Sequence, residues 1–287
     1  MNRKALLGAV VLLAVTSASE AAADGGPGPL GVTAVAASTP QSAKVGALFA
    51  ADDADAGRLA GRHVCTASVV HSPHRDLIVT AAHCLLDAGD VAFVPGYRDG
   101  EAPYGVWKVA KVFLPDGWTR GQDEDSDVAF AAIEEQDGEG VEDVVGGNRF
   151  APGTATGATA VTVTGYPNAA EAPIRCVNKP TAHTGTQQRI ACPGFSGGTS
   201  GSPWVNGYGE VVGILGGHEQ GGSTDDVSYS VVLGPEAAQL YREAASDSQG
   251  ALGDGVHELG GELVAGADDG QLAGRDLRGE VGLGGEM

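Results

Sequence analysis

Forty-six glycines punctuate this 287-residue chain, and between them the apolar residues come in runs too short to make helices. From Val45 onward the runs are VCTASVV (64–70), LIVT (77–80), VAFV (91–94), VWKVAKVF (106–113) and VAFAAI (128–133). A second set follows with TAVTVTGY (159–166), RIAC (189–192), EVVGIL (210–215) and VSYSVV (227–232). Runs of roughly four to eight β-branched and aromatic residues bounded by turn formers read as strands, and many of them at regular spacing read as an all-β barrel or sandwich. Only a turn over 81–86 and the stretch Pro235–Ala245 read as helical. In the latter, Pro235 suits a first helical position and Ala237, Leu240 and Tyr241 can share a face.

The ends have a different composition. Arg3 and Lys4 precede an apolar stretch from Ala5 to Val15 and the small residues Ala21–Ala23, the order of parts in a secretory signal peptide. The stretch falls well short of the roughly 20 apolar residues that a membrane-spanning helix needs. Residues 1–23 are therefore read as a removable signal, with export to the extracellular space and no membrane association afterwards. Residues 24–44, rich in Gly, Pro, Ala, Ser and Thr, have little apolar surface to offset ordering entropy and read as a pro-segment or flexible arm. Residues 246–287 are Gly-rich and acidic without a strong period, and read as a disordered tail. Between these ends lies one functional unit, 45–245, whose acidic, Gly-rich middle divides it near residue 140.

Thirty-seven acidic against seventeen basic side chains give a formal net charge of −20, which disfavours nucleic acid and anionic lipid as partners. Four cysteines, Cys65, Cys84, Cys176 and Cys192, in an exported chain suggest two disulfides out of three pairings, and Cys65–Cys84 with Cys176–Cys192 closes the shortest loops. His71 and His74 in HSPH lack the further ligands of a zinc site, and the Gly-rich runs lack the lysine of a phosphate loop. No metal and no cofactor are expected.

Three patterns carry chemistry: TAAHC at 80–84, SDVAF at 126–130 and GTSGSPW at 198–204. In that order they resemble the chymotrypsin/trypsin superfamily of serine peptidases, over about Val45–Ala245. The family's patterns are TAAHC around a histidine, a D-I/V-A-L strand start and G-D-S-G-G-P around a serine. The resemblance implies two antiparallel β-barrels, about 45–140 and 141–245, with a short C-terminal helix. It also implies a triad of Ser200, His83 and Asp127. A serine hydroxyl is a weak nucleophile, so an imidazole must take its proton, and a carboxylate must hold that imidazole in the right tautomer. The backbone N–H groups of Gly198 and Ser200 would form the oxyanion hole. Backbone atoms of Leu215, Gly216 and Gly217 would pair with an extended substrate. The family bridge at the histidine favours Cys65–Cys84.

Neighbouring residues compete for two of these roles. Asp123 and Asp125 lie close to Asp127, which is preferred because it directly precedes an apolar strand, with Asp125 next. Ser196 and Ser202 lie close to Ser200, which is preferred because Gly198 then occupies the oxyanion turn, whereas Ser202 would have Ser200 there.

The chain also departs from the family. Thr199 stands where trypsin-like zymogens carry the aspartate that a new N-terminal ammonium pairs with, and no I-V-G-G-like start precedes VGALF at 45–49. GTSGSP is similar to the G-N-S-G-S-P of bacterial glutamyl endopeptidases. However, Leu215 replaces their pocket histidine and His218 is displaced from it, so glutamate specificity is not expected. Gly194, six residues before Ser200, offers no acid to bind a Lys or Arg side chain. The expectation is a secreted, monomeric serine endopeptidase acting on protein or peptide substrates. The alternative is a catalytically inactive binding or regulatory protein on the same scaffold.

Overall fold

A computed structural model describes residues 29–85 and 90–247. The expected signal peptide and nearly all of the expected acidic tail lie outside the described residues. The chain is mostly β. Its strands are β1 (Thr33–Val35), β2 (Val45–Ala50), β3 (Cys65–Val70), β4 (Leu77–Thr80), β5 (Val91–Pro95), β6 (Trp107–Phe113) and β7 (Ala129–Ile133) in the first half. The second half has β8 (Arg149–Phe150), β9 (Val161–Gly165), β10 (Ile174–Asn178), β11 (Thr181–Ala182), β12 (Gln187–Ala191), β13 (Pro203–Asn206), β14 (Glu210–Ile214) and β15 (Val227–Val231). Helices α1 (Pro40–Ala43), α2 (Ala51–Asp55), α3 (Asp116–Gly121) and α4 (Val141–Val145) are single turns or little more, and α5 (Pro235–Asp247) is the one long helix among the described residues.

Strands β2 to β7 close a barrel in the order β2-β3-β4-β7-β6-β5. Closure pairs every edge, and the interior fills with Leu48, Val69, Ile78, Phe93, Trp107, Ala131 and Ile133, which the strand registers place on one face and which are each at most 3% exposed. Fully burying a side chain of this kind contributes roughly 1.5–3 kcal/mol. This interior holds β4 and β7, and hence the two turns that leave them at Thr80 and enter at Ala129.

The second half forms a six-stranded sheet, β1-β10-β9-β13-β14-β8, and a three-stranded sheet, β11-β12-β15. Between β14 and β15 the ladder gives way to side-chain bonding, because the Ser230 hydroxyl accepts the Ile214 N–H (2.9 Å). Just beyond, Gly216 N–H donates to Tyr229 O (3.0 Å), which ties the two sheets together. Residues 30–44, expected as a loose arm, are built into this half. β1 pairs antiparallel with β10, Ala36 N–H donates to Pro173 O (2.8 Å), and Ala36 is buried. Backbone hydrogen bonds to an open sheet edge order this stretch despite its small side chains.

Helix α5 buries Ala237, Leu240, Ala244 and Ala245. Tyr241 packs against Phe130 of the barrel (centroids 5.6 Å) and Phe150 of β8 (5.2 Å). Glu236, in its first turn, accepts the Ser126 hydroxyl (2.8 Å), so the helix braces the turn that precedes β7. Among the described residues no helix is long and apolar enough to cross a membrane.

Candidate active site

β4 ends at Thr80, and the chain turns through a 3₁₀ segment, Ala82–Cys84, that carries His83. Cys84 is bonded to Cys65 at the start of β3, with Cα atoms 6.1 Å apart, so the turn is fastened covalently to the neighbouring strand. The second bridge joins Cys176 of β10 to Cys192. Both disulfides are the pairs with the shortest loops.

On the other side of β4, a 3₁₀ turn Glu124–Ser126 delivers Asp127 to the start of β7. The carboxylate is fully buried and takes three hydrogen bonds. Oδ1 accepts the His83 main-chain N–H (3.0 Å), and Oδ2 meets His83 Nδ1 (2.8 Å) and accepts Gly217 N–H (2.7 Å). An ionised carboxylate only accepts, so Nδ1 carries a proton and Nε2 of the neutral ring keeps its lone pair. The competing Asp125 is exposed and accepts the Gln187 amide instead (2.8 Å), while Asp123 caps the 3₁₀ turn by accepting Asp125 N–H (3.0 Å). Trp118 of α3 is buried beside the imidazole, ring centroids 6.4 Å apart.

Ser200 lies in the loop between Cys192 and β13. Two glycines allow the loop to sit where it does. Gly198 has φ +93°, and a Cβ there would come 2.2 Å from Asn168 Oδ1 and 2.6 Å from Tyr166 O. Gly201 has φ +84°, and a Cβ there would come 2.0 Å from Thr66 O and 2.1 Å from Thr80 Oγ1. Ser200 O accepts Thr66 N–H (2.7 Å), and Gly201 N–H donates to Leu215 O (2.7 Å). These contacts set the loop against Thr66, next to Cys65, and against Thr80, three residues before His83.

The rival serines are placed differently. Ser202 is fully buried, with its hydroxyl donating to Thr199 O (2.7 Å). Ser196 lends its carbonyl to the Thr199 hydroxyl (2.7 Å). Ser200 is half-buried, and its Oγ makes no hydrogen bond to a described residue. Among the described residues the N–H groups of Gly198 and Ser200 also have no acceptor.

The segment after β14 runs along the same site. Leu215 N–H donates to Ser202 O (2.9 Å), Gly216 N–H to Tyr229 O and Gly217 N–H to Asp127, while Leu215 O and Gly217 O accept Gly201 and Gln220 N–H groups. Of the backbone groups on Leu215, Gly216 and Gly217 expected to pair with substrate, only the Gly216 carbonyl has no partner among the described residues. A Cβ on Gly216 would stand 2.7 Å from Asp127 Oδ2, so this position has no room for a side chain. Leu215 is buried, and the ring of the displaced His218 packs tilted against His183 (centroids 4.9 Å) and edge-to-face with Tyr229 (4.8 Å).

Two residues that sequence reasoning passed over hold this arrangement together. Gln187 is buried, donates to Glu124 O (2.9 Å) and Asp125 Oδ1, and receives His218 N–H (3.4 Å), so it joins the Asp127 turn to the Gly217 segment. Nothing in its local sequence signals this. Thr66 bonds the Ser200 loop, and its only sequence signal is its place directly after Cys65. Cys65, His83 and Cys84 are the one cluster of potential metal ligands close enough to share an ion among the described residues. Both sulfurs are committed to the disulfide, so the set does not fit a metal.

The trypsin-like peptidase domain family matches residues 65–214, more than half of the chain, and the match includes His83, Asp127 and Ser200. The chain belongs to that family. Among solved structures, this trypsin-like peptidase is similar to protease Anisep from Arthrobacter nicotinovorans, with 27% identity and TM-score 0.62 over 73% of this chain and 98% of that one. It is also similar to the thermostable serine protease AL20 from an extremophilic microorganism, with 27% identity and TM-score 0.63 over 72% and 99%. A Glu endopeptidase shares the fold at 17% identity and TM-score 0.59, over 77% and 99%. No curated protein sequence matches the chain. Membership of a peptidase family makes proteins or peptides the substrate class of this domain.

Proposed function

We propose that the protein is an exported serine endopeptidase, acting as a monomer through Ser200, His83 and Asp127. The observation that carries this reading is the fully buried Asp127 carboxylate holding His83 through both its main-chain N–H and Nδ1. That double grip fixes the tautomer and orientation a general base needs. His83 Nε2 takes the proton as Ser200 Oγ adds to the scissile carbonyl, and returns it to the leaving amine as the acyl-enzyme forms. Water then repeats the sequence in reverse roles and frees the acid.

The negative oxygen of each tetrahedral intermediate is received by the Gly198 and Ser200 N–H groups, which have no other acceptor among the described residues. The substrate main chain enters extended, with the Gly216 carbonyl accepting one of its N–H groups. Two disulfides and the signal-like residues 1–23 support export to an oxidising compartment. We read the two sheets of the second half as the second barrel, held at the β14–β15 seam by Ser230, and the functional unit as about 30–247.

The test is hydrolysis of an unstructured protein such as casein, followed by mass spectrometry of the fragments. Wild type is expected to cut internal peptide bonds, and Ser200→Ala to lose about 10⁴- to 10⁶-fold in rate with unchanged circular dichroism. Undiminished cleavage by folded Ser200→Ala, or no cleavage by wild type, contradicts the proposal.

A further inference from the structure

Every peptide carbonyl from Gly197 to Ser200 is tied down. Gly197 O accepts Asn168 N–H (2.8 Å), and Gly198 O accepts the Thr66 hydroxyl (3.0 Å). Thr199 O accepts the N–H (3.0 Å) and hydroxyl of Ser202, and Ser200 O accepts Thr66 N–H. A trans peptide is planar, so pinning a carbonyl sends the following N–H to the opposite side. The Gly197 and Thr199 carbonyls thereby aim the Gly198 and Ser200 N–H groups, and Thr66 holds the two planes that alternate with them.

Thr66 has the hydrogen bonds to do this with a fixed direction. Its hydroxyl accepts Tyr166 N–H (3.0 Å), which commits its single proton to Gly198 O. Its own carbonyl accepts the Thr80 hydroxyl (2.7 Å). Thr66, Thr80, Tyr166, Thr199 and Ser202 are all at most 1% exposed, and none is charged. Position 199, where an ion pair would otherwise fix this turn, offers only a hydroxyl that bonds Ser196 O within the loop.

We propose that Thr66 is a positioning residue. Its hydroxyl holds the Gly198 turn in the conformation that receives the oxyanion, as a neutral brace from the first half of the chain, and no newly exposed N-terminus is required. This rests on the reading of Ser200 as nucleophile. A residue with a merely structural role would change stability and leave the chemical step alone, whereas an oxyanion brace acts on kcat.

The experiment compares wild type, Thr66→Val and Thr66→Ser for kcat and KM on one peptide substrate, with Ser200 titrated by a fluorophosphonate. Valine keeps the shape and removes the hydroxyl, so kcat is expected to fall about 10- to 100-fold, somewhat less than for loss of an oxyanion donor, with KM within about threefold. Serine restores the hydroxyl and is expected to return kcat to within about threefold of wild type. An unimpaired kcat in folded Thr66→Val, or a Thr66→Ser as slow as the valine variant, overturns the assignment. Where Thr66→Val does not accumulate as folded protein, wild type with its N-terminal amine acetylated gives the second measurement. Turnover per titrated Ser200 equal to that of the free amine supports the brace, and a loss of more than about tenfold overturns it. Wild type that takes no label on Ser200 overturns the peptidase reading and the Thr66 role with it; labelled wild type beside an unimpaired Thr66→Val overturns the Thr66 role alone.

Discussion

At the scale of single residues, the site depends on a buried charge that is fully used. Asp127 Oδ2 meets His83 Nδ1 and accepts Gly217 N–H, so one oxygen joins the His83 turn to the segment after β14. Replacing it with asparagine keeps the volume but places an amide donor against two donors. Asp127→Asn is therefore expected to lower kcat/KM by about 10⁴ through the wrong imidazole tautomer, with a folded protein by near-ultraviolet circular dichroism. A loss under about tenfold would contradict the role given to this carboxylate. Gly216→Ala tests the same contact sterically. Its Cβ would come 2.7 Å from Asp127 Oδ2 and 3.1 Å from Ala81 Cβ, so turnover should fall even though no catalytic group is removed. The contact between His83 and Asp127 was legible from the short motifs that carry the two residues. The choice of Asp127 over Asp125 was legible from the strand that follows it. Gln187 and Thr66 were not legible, because their partners lie about 60 to 130 residues away along the chain and a polar residue in a strand has no sequence mark of what it will touch.

At the scale of elements, the strands with large β-branched and aromatic runs were readable, including β4, β7, β9, β14 and β15. β1, β10 and β13 were not. Their sequences TAV, IRCVN and PWVN are short or mix polar with apolar residues, and they become strands because β9 offers edges to β10 and β13, and β10 in turn to β1. The helix starting at Pro235 was readable from the proline at its first position and the shared face of Ala237, Leu240 and Tyr241, and it runs to Asp247. The Cys65–Cys84 bridge ties the His83 turn to β3 across 19 residues. The double variant Cys65→Ala/Cys84→Ala is expected to lose about 3 kcal/mol in urea unfolding, and turnover should fall further than stability alone requires because the His83 turn loosens. A stability loss below about 0.5 kcal/mol would show that strand pairing alone holds the turn.

At the scale of the whole molecule, an aromatic cluster behind the site, Phe49, His63, Tyr97 and Tyr166, joins the first half to the segment that carries Asn168. Burial pushes the phenols of Tyr97 and Tyr166 above their usual range, and the Glu171 carboxylate bonded to Tyr97 adds to its shift. In the unfolded chain these phenols ionise near pH 10, while in the fold they keep their protons. Above that pH the unfolded state binds fewer protons, so stability falls as pH rises. The Tm is expected to be level up to about pH 9 and to drop beyond it, with a shallower drop in Tyr97→Phe/Tyr166→Phe; equal slopes would contradict this origin. The core of the described residues lies between Ala36 and Ala245. A chain ended after Asp247 is therefore expected to keep its Tm and turnover, and loss of soluble protein would show that later residues contribute.

The central claim is that one particular hydroxyl, that of Ser200, is the nucleophile, and it is tested most directly by covalent labelling. The mature protein is treated with a fluorophosphonate, digested and mapped by mass spectrometry, with His83→Ala alongside. The account predicts a single adduct on Ser200 that forms far more slowly in the histidine variant. An adduct on Ser202 or Ser196, or a folded wild type that takes no label, would contradict it.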